Sequence, residues 1–191
     1  MKIGVLDIQG SVEEHFAALE KVSGVTPVLV KKIEDLDGVR GLIIPGGEST
    51  TIGKLLRRFG LREEIIRRAT TGKKEDRLAI WGTCSGAILI AKKIVGRENA
   101  DTMTLMDITI ERNAYGRQTD SFETEVKFDG KSLPAVFIRA PKIISAGNGV
   151  SVLAKYNDEI VAAREGKLLV TTFHPELTNS TKAHEYFAGI C

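Results

Sequence analysis

Cysteine is nearly absent: Cys84 and Cys191 are the only two in 191 residues. Cys191 is the final residue and a poor disulfide anchor, so a disulfide scaffold is not expected and a reducing compartment is. Net charge is also scarce. The 27 basic and 25 acidic side chains leave +2, too little to suggest a nucleic-acid or membrane partner. Arg67-Arg68 and Lys73-Lys74 are interleaved with Glu and Asp and read as a solvated face. No apolar run approaches the roughly 20 residues of a membrane span. Met1 leads directly into a strand-like stretch, with no apolar core or small-residue cleavage site of a signal peptide. A cytoplasmic protein is the expectation. No Cys or His pair stands at ligand spacing, which argues against a metal. No G-x-G-x-x-G follows the first strand, which argues against a dinucleotide. No cofactor is expected.

At this length one domain, spanning 1–191, is expected to bury a full core. Lys2 to Ile8, Pro27 to Val30, Gly41 to Ile44 and Leu78 to Trp81 are short apolar runs that read as strands. Between them, Val12, Phe16, Leu19 and Val22 recur at helical spacing, as do Ile52, Leu55, Leu56 and Phe59, with Thr50 or Thr51 as cap. Leu61 to Ala69 reads as another helical segment, and Ala87 to Ala91 as the start of a buried helix. Strand–helix alternation with continuously apolar strands predicts a parallel sheet covered by helices. The second half changes character. Asp107–Glu111, Phe122–Phe128, Ala135–Ala140, Val152–Tyr156, Ile160–Arg164 and Leu168–Phe173 are strand-like, joined by turns such as Asp129-Gly130. Lys182 to Ala188 reads as a last helix. The fold class predicted is α/β, mostly parallel, with an antiparallel extension.

The strongest chemical signal is Gly82-Thr83-Cys84-Ser85-Gly86, between a predicted strand and helix. This is the G-x-nucleophile-x-G turn with Cys for Ser. Side chains at 82 and 86 would collide with neighbouring backbone. The turn lifts the sulfur to a helix N-terminus, where the dipole favours a thiolate. The Ser85 N–H can then donate to an oxyanion. The bland alternative is a buried structural cysteine in a βα turn. Phe173-His174-Pro175-Glu176 follows another strand. Carboxyl ends of parallel strands share one crevice, so His174 can reach Cys84 as base, with Glu176 orienting the imidazole. The alternative is a surface histidine in a loop. His15, in mid-helix, and His184, among charges in the last helix, are weaker candidates. Pro45-Gly46-Gly47-Glu48-Ser49-Thr50-Thr51 ends a third strand, where Gly47 N–H could complete the oxyanion hole or the segment could be a plain turn. No Gly-Lys-Ser/Thr follows, which disfavours a phosphate loop.

Taken together these motifs resemble the class I triad glutamine amidotransferases. The resemblance narrows through Leu6-Asp7-Ile8-Gln9-Gly10, Glu111-Arg112-Asn113-Ala114-Tyr115-Gly116-Arg117-Gln118, Phe137-Ile138-Arg139-Ala140-Pro141 and Phe173 to Thr178. In register they are similar to the glutaminase subunits of pyridoxal 5′-phosphate synthases, from Lys2 to about Phe187. Ser85 departs from the family's usual Ala. The resemblance implies a flavodoxin-like fold and hydrolysis of L-glutamine to glutamate and ammonia. It implies glutamine contacts at Gly46, Gly47, Glu48, Arg112, Ile138 and Arg139. It also implies a (β/α)8-barrel synthase subunit as partner, without which the glutaminase is nearly silent. A cysteine peptidase or DJ-1-like thiol protein on the same fold, and an inactive regulatory module, are the rival readings.

Overall fold

The structure, a computed structural model, describes residues 1–97, 101–112 and 121–191. The elements run β1 (Lys2–Leu6), α1 (Val12–Glu20), β2 (Thr26–Val30), β3 (Val39–Ile44), α2 (Ser49–Arg58), α3 (Leu61–Thr70), β4 (Ala79–Thr83) and α4 (Ser85–Ile90). They continue with β5 (Ala91–Ile94), β6 (Met106–Glu111), β7 (Phe122–Phe128), β8 (Lys131–Phe137), β9 (Lys142–Ala146), β10 (Ser151–Tyr156), β11 (Glu159–Glu165), β12 (Leu168–Thr171) and α5 (Lys182–Ile190). The main sheet is ordered β2-β1-β3-β4-β12-β11-β9-β6-β5, with β10 beside β11, and β7–β8 form a separate hairpin. From β2 to β12 all neighbours are parallel. The β11 and β9 pairings are antiparallel. This is the flavodoxin-like, mostly parallel sheet with an antiparallel extension that the sequence predicts.

Two cores follow from the alternation of side chains along the strands. Leu42, Ile44 and Ile80 face α2, α3 and α4, meeting Ile52, Leu56, Leu61, Ile65 and Leu89. Ile43, Ala79 and Trp81 face the opposite way and meet Val12, Leu19, Ala183 and Phe187 of α1 and α5. Among the described residues no helix is long and apolar enough to cross a membrane.

Four local expectations need correction. The buried face of α1 is Val12, His15, Ala18 and Leu19, not a stripe through Phe16. α4 ends at Ile90 and the chain turns directly into β5. An apolar run such as Ile88-Leu89-Ile90-Ala91 has no periodicity that separates helix from buried strand. β9 has too short an apolar signal to be seen, and its pairing with β6 and β11 creates it. β8 ends at Phe137 rather than Ala140, because Arg139 adopts φ +45°, which breaks the extended backbone.

Candidate active site

β4 lies between β3 and β12, with Ile44 opposite Gly82 and Thr171 opposite Thr83. The segments leaving these three strands therefore emerge side by side at one carboxyl edge. Cys84 sits at the centre with φ +48° and ψ −105°, outside the usual regions for a side-chain-bearing residue. The Cys84 N–H donates to the Thr171 carbonyl at 2.8 Å, which anchors the strained turn to β12. A Cβ on Gly82 would lie 2.5 Å from the Gly86 carbonyl, so the expected collision is real.

His174 is delivered from the β12 side. Its backbone N–H donates to the Val136 carbonyl at 2.8 Å, tying it to the β7–β8 hairpin. Its Nδ1 lies 2.7 Å from Glu176 Oε1, and its ring and the Cys84 side chain both crowd against Gly46. Burial pushes His174 down. The neighbouring Cys84 sulfur, joined by the hydrogen bond to Glu176, outweighs burial and lifts it to about 10. Glu176 is 6% exposed. Burial pushes its carboxyl up, while His15, His174 and the Ser11 hydroxyl overcome that and hold it at about 2. The structure thus brings Cys84, His174 and Glu176 together in that order.

A cleft of about 470 Å³ opens over the sulfur, within the range of small-molecule sites. Gly46, Gly47 and Glu48 form one side, and Arg112, Ile138 and Arg139 another, with Ser85 and His174 at the floor. All six positions expected to touch glutamine are therefore in one place. The Ile138 carbonyl stands 3.9 Å from Cys84 Sγ. The Gly46 carbonyl accepts from Ser11 N–H at 3.1 Å, so the Gly47 N–H points away from Ser11 across the trans peptide. Gln9 Oε1 accepts from Glu48 N–H at 2.8 Å.

Neither threonine caps α2. Glu48 does, accepting from Thr50 N–H at 3.0 Å and Thr51 N–H at 2.7 Å. A carboxylate is a good anion for a helix N-terminus. Burial raises the Glu48 carboxyl, but the Thr51 hydroxyl and the two backbone donors bring it to about 2. Arg112 approaches the same carboxylate at 3.4 Å, a partly exposed ion pair. The remainder of the motif that begins at Glu111, positions 113–118, lies outside the described residues.

A Cβ added to Gly46 would run into His174 Cε1 and come within 3.2 Å of the Cys84 Cβ. Gly46→Ala is expected to lower glutamine turnover by about 100-fold or more, since misplacing reacting groups by 1 Å costs that much. Steady-state ammonia release would check it. The Ser85 hydroxyl is buried and has no hydrogen-bond partner among the described residues. Ser85→Ala is therefore expected to stabilise the fold by about 1 kcal/mol. Turnover should persist, because the donor available to an oxyanion is backbone. Urea midpoints together with turnover test this.

Sequence reasoning missed Ser11 and Thr83 and ranked His15 and His184 only as weaker candidates for the base. Ser11 Oγ donates to Glu176 Oε1 at 2.6 Å. His15 and His184, both 0% exposed, lie behind Glu176 together with Thr83. The readable signal was His15 in register with Val12 and Leu19 on a face otherwise made of apolar residues.

Comparison with known proteins follows the same geometry. Residues 5–191 match the SNO glutamine amidotransferase family. A Niallia circulans protein described as pyridoxal 5′-phosphate synthase subunit PdxT is 54% identical over 98% of this chain and 96% of its own length. One of the same description from Geobacillus kaustophilus (strain HTA426) is 52% identical over 100% of this chain and 94% of its own. A crystal structure of a glutamine amidotransferase superposes with a TM-score of 0.91 at 45% identity, covering 98% and 97% of the two chains. With the nucleophile turn, the cleft and the full-length match in agreement, the chain belongs to the SNO glutamine amidotransferase family.

Proposed function

We propose that this chain, as a single glutaminase domain, hydrolyses L-glutamine to glutamate and ammonia. The observation that carries this reading is the buried line from Cys84 through His174 to Glu176, opening on a cleft with Arg112 and Arg139. His174 takes the Cys84 thiol proton, and the Glu176 carboxylate at 2.7 Å stabilises the imidazolium that results. Cys84 attacks the amide carbon as a thiolate. N–H groups of Gly47 and Ser85 receive the oxyanion, each worth about 3–4 kcal/mol. His174 gives its proton to the departing ammonia, then takes one from the water that cleaves the γ-glutamyl thioester. Arg139, exposed at the cleft rim, neutralises the substrate carboxylate. Glu48, Arg112 and Ile138 complete the wall.

The ammonia goes to a synthase subunit, a (β/α)8 barrel that makes pyridoxal 5′-phosphate in the same cytoplasmic complex. The relatives' description as synthase subunits supports this part. Handing ammonia directly to a partner keeps it unprotonated. The deciding experiment is ammonia release from glutamine with and without the synthase. A rise on adding the synthase is expected, and background turnover in both arms would favour an inactive binding module. Labelling of Cys84 by a glutamine-like diazo ketone should be blocked by glutamine. Labelling that glutamine leaves untouched would favour a peptidase or DJ-1-like thiol protein. Glu176→Gln should be the mildest triad substitution, at about tenfold in kcat, because the amide still accepts from His174 Nδ1. A loss as large as that of the nucleophile itself would argue against an orienting role.

A further inference from the structure

Glu176 has two oxygens in a dry setting, and only one is fully occupied. Oε1 accepts from Ser11 Oγ at 2.6 Å and from His174 Nδ1 at 2.7 Å. Oε2 has no close hydrogen bond among the described residues. What faces it is His15 Nε2, at 3.4 Å, with both side chains 0% exposed. A carboxylate oxygen in the interior is costly to leave without a donor.

The protonation of the rings follows from their partners. His15 Nδ1 lies 3.0 Å from His184 Nε2, and His15 Nε2 lies 3.1 Å from Thr83 Oγ1. His184 Nδ1 is buried with no partner among the described residues. One proton occupies the contact between the two neutral rings. Were it on His15 Nδ1, His15 would turn a bare lone pair toward the Glu176 carboxylate. His184 would then carry its proton on Nδ1, as an orphan buried N–H. The opposite assignment avoids both: His184 Nε2–H donates to His15 Nδ1, and His15 Nε2–H donates to Thr83 Oγ1 with its positive edge 3.4 Å from Glu176 Oε2. Trp81 packs edge-on against both rings, at 5.5 and 5.0 Å between centroids, and blocks any swing.

We propose that His15 is a positioning residue for the Cys84–His174 pair: held in one tautomer by His184, it fixes the free oxygen of Glu176 so that the other stays on His174 Nδ1. This rests on the glutaminase reading above. The groups that face His15 are Glu176 and His174 from the segment after β12, His184 from α5, Thr83 at the end of β4 and Glu14 on its own helix. Burial lowers His15 more than the Glu176 charge raises it, consistent with a neutral ring. Thr83 directly precedes Cys84, so one imidazole links Glu176 to the residue before the sulfur.

Two substitutions separate positioning from packing. Glutamine at 15 can accept from His184 and donate toward Glu176, whereas leucine does neither. With the synthase present, His15→Leu is expected to lower kcat about tenfold or more with KM unchanged. The midpoint of the pH profile for alkylation of Cys84 by iodoacetamide should move upward, because Glu176 no longer supports the imidazolium. His15→Gln should restore both to near wild type. An unchanged kcat and alkylation profile in His15→Leu, or equal impairment in both variants, would overturn the proposal. If His15→Leu does not fold, the wild-type chain still decides. It has three histidines, so 15N-histidine NMR resolves each ring. His15 and His184 are both expected as neutral Nε2–H tautomers at pH 7, and an Nδ1–H or charged His15 would refute the chain of donors. A Cys84→Ala variant run alongside separates the two ideas. If it stays active, the glutaminase mechanism has failed. If it is dead while His15→Leu is normal, only the positioning role has.

Discussion

Cys84→Ala is expected to abolish glutamine hydrolysis, by at least about 10⁴-fold in kcat, with the fold intact. The magnitude follows from the chemistry: no other group in the cleft can form the thioester. The remaining cleft would still bind glutamine, so KM or a directly measured Kd should change little. Stability should be nearly preserved. Alanine fits the space of the thiol, and the strained backbone at φ +48° is anchored through its N–H to Thr171 rather than through the side chain. His174→Asn should be almost as damaging, since asparagine cannot carry a proton to the departing ammonia. The check is ammonia release in the presence of the synthase, alongside a thermal melt of each variant. Retained turnover in Cys84→Ala would remove the nucleophile from the mechanism, whereas a lost melting transition would make the variant uninformative and shift the test to Cys84→Ser.

Acid should unfold this protein earlier than its composition suggests. Burial holds His184 neutral, with its pKa pushed down to about 3, and lowers His15 in the same direction. In the unfolded chain both rings accept protons near pH 6.5. Below that value the unfolded state binds protons that the folded state refuses, so stability falls with pH from 6.5 toward 3. By pH 5 the His184 contribution alone is about 2 kcal/mol, and His15 adds to it with the same sign. Glu176 enters later. Its folded value near 2 lies below the ordinary 4.5, so its contribution is present above 4.5 and lost as pH falls toward 2. His174 works the other way, but above that window: its raised value makes its contribution full below 6.5 and lost progressively as pH rises from 6.5 through about 10. Against a typical total of about 5–15 kcal/mol, the loss is large. Urea midpoints at pH 6.5, 5.5 and 5, where the His174 contribution is nearly constant, measure it, and His184→Leu should flatten the curve. Midpoints that stay constant from pH 6.5 to 5 would show that the two rings are not held neutral.

The sites that carry chemistry were readable because each is a local event. Gly82 to Gly86 must turn tightly wherever it stands, and Gly46-Gly47 after an apolar strand marks a close backbone approach. His174-Pro175-Glu176 keeps a base and its carboxylate two residues apart, so their contact at 2.7 Å needs little from the rest of the chain. The parallel half was legible for a similar reason, its strands being buried on both faces and continuously apolar. The antiparallel half was less so. β5 and β9 exist because neighbouring strands offer them unpaired edges, which no window of sequence records.

Residue order and type alone singled out Cys84, His174 and Glu176, and determined the glycine turns and the alternation that gathers them at one sheet edge. Only the folded chain decided what stands behind them. His15 and His184 lie 169 positions apart and meet at 3.0 Å, and Glu48, a residue of the cleft wall, is also the cap of α2, held by its own backbone neighbours. The reason is physical: a turn or a strand is set by interactions within a few residues. The partner of a buried polar group is set by which distant segments the closing core presses against it, and burial then makes finding that partner obligatory.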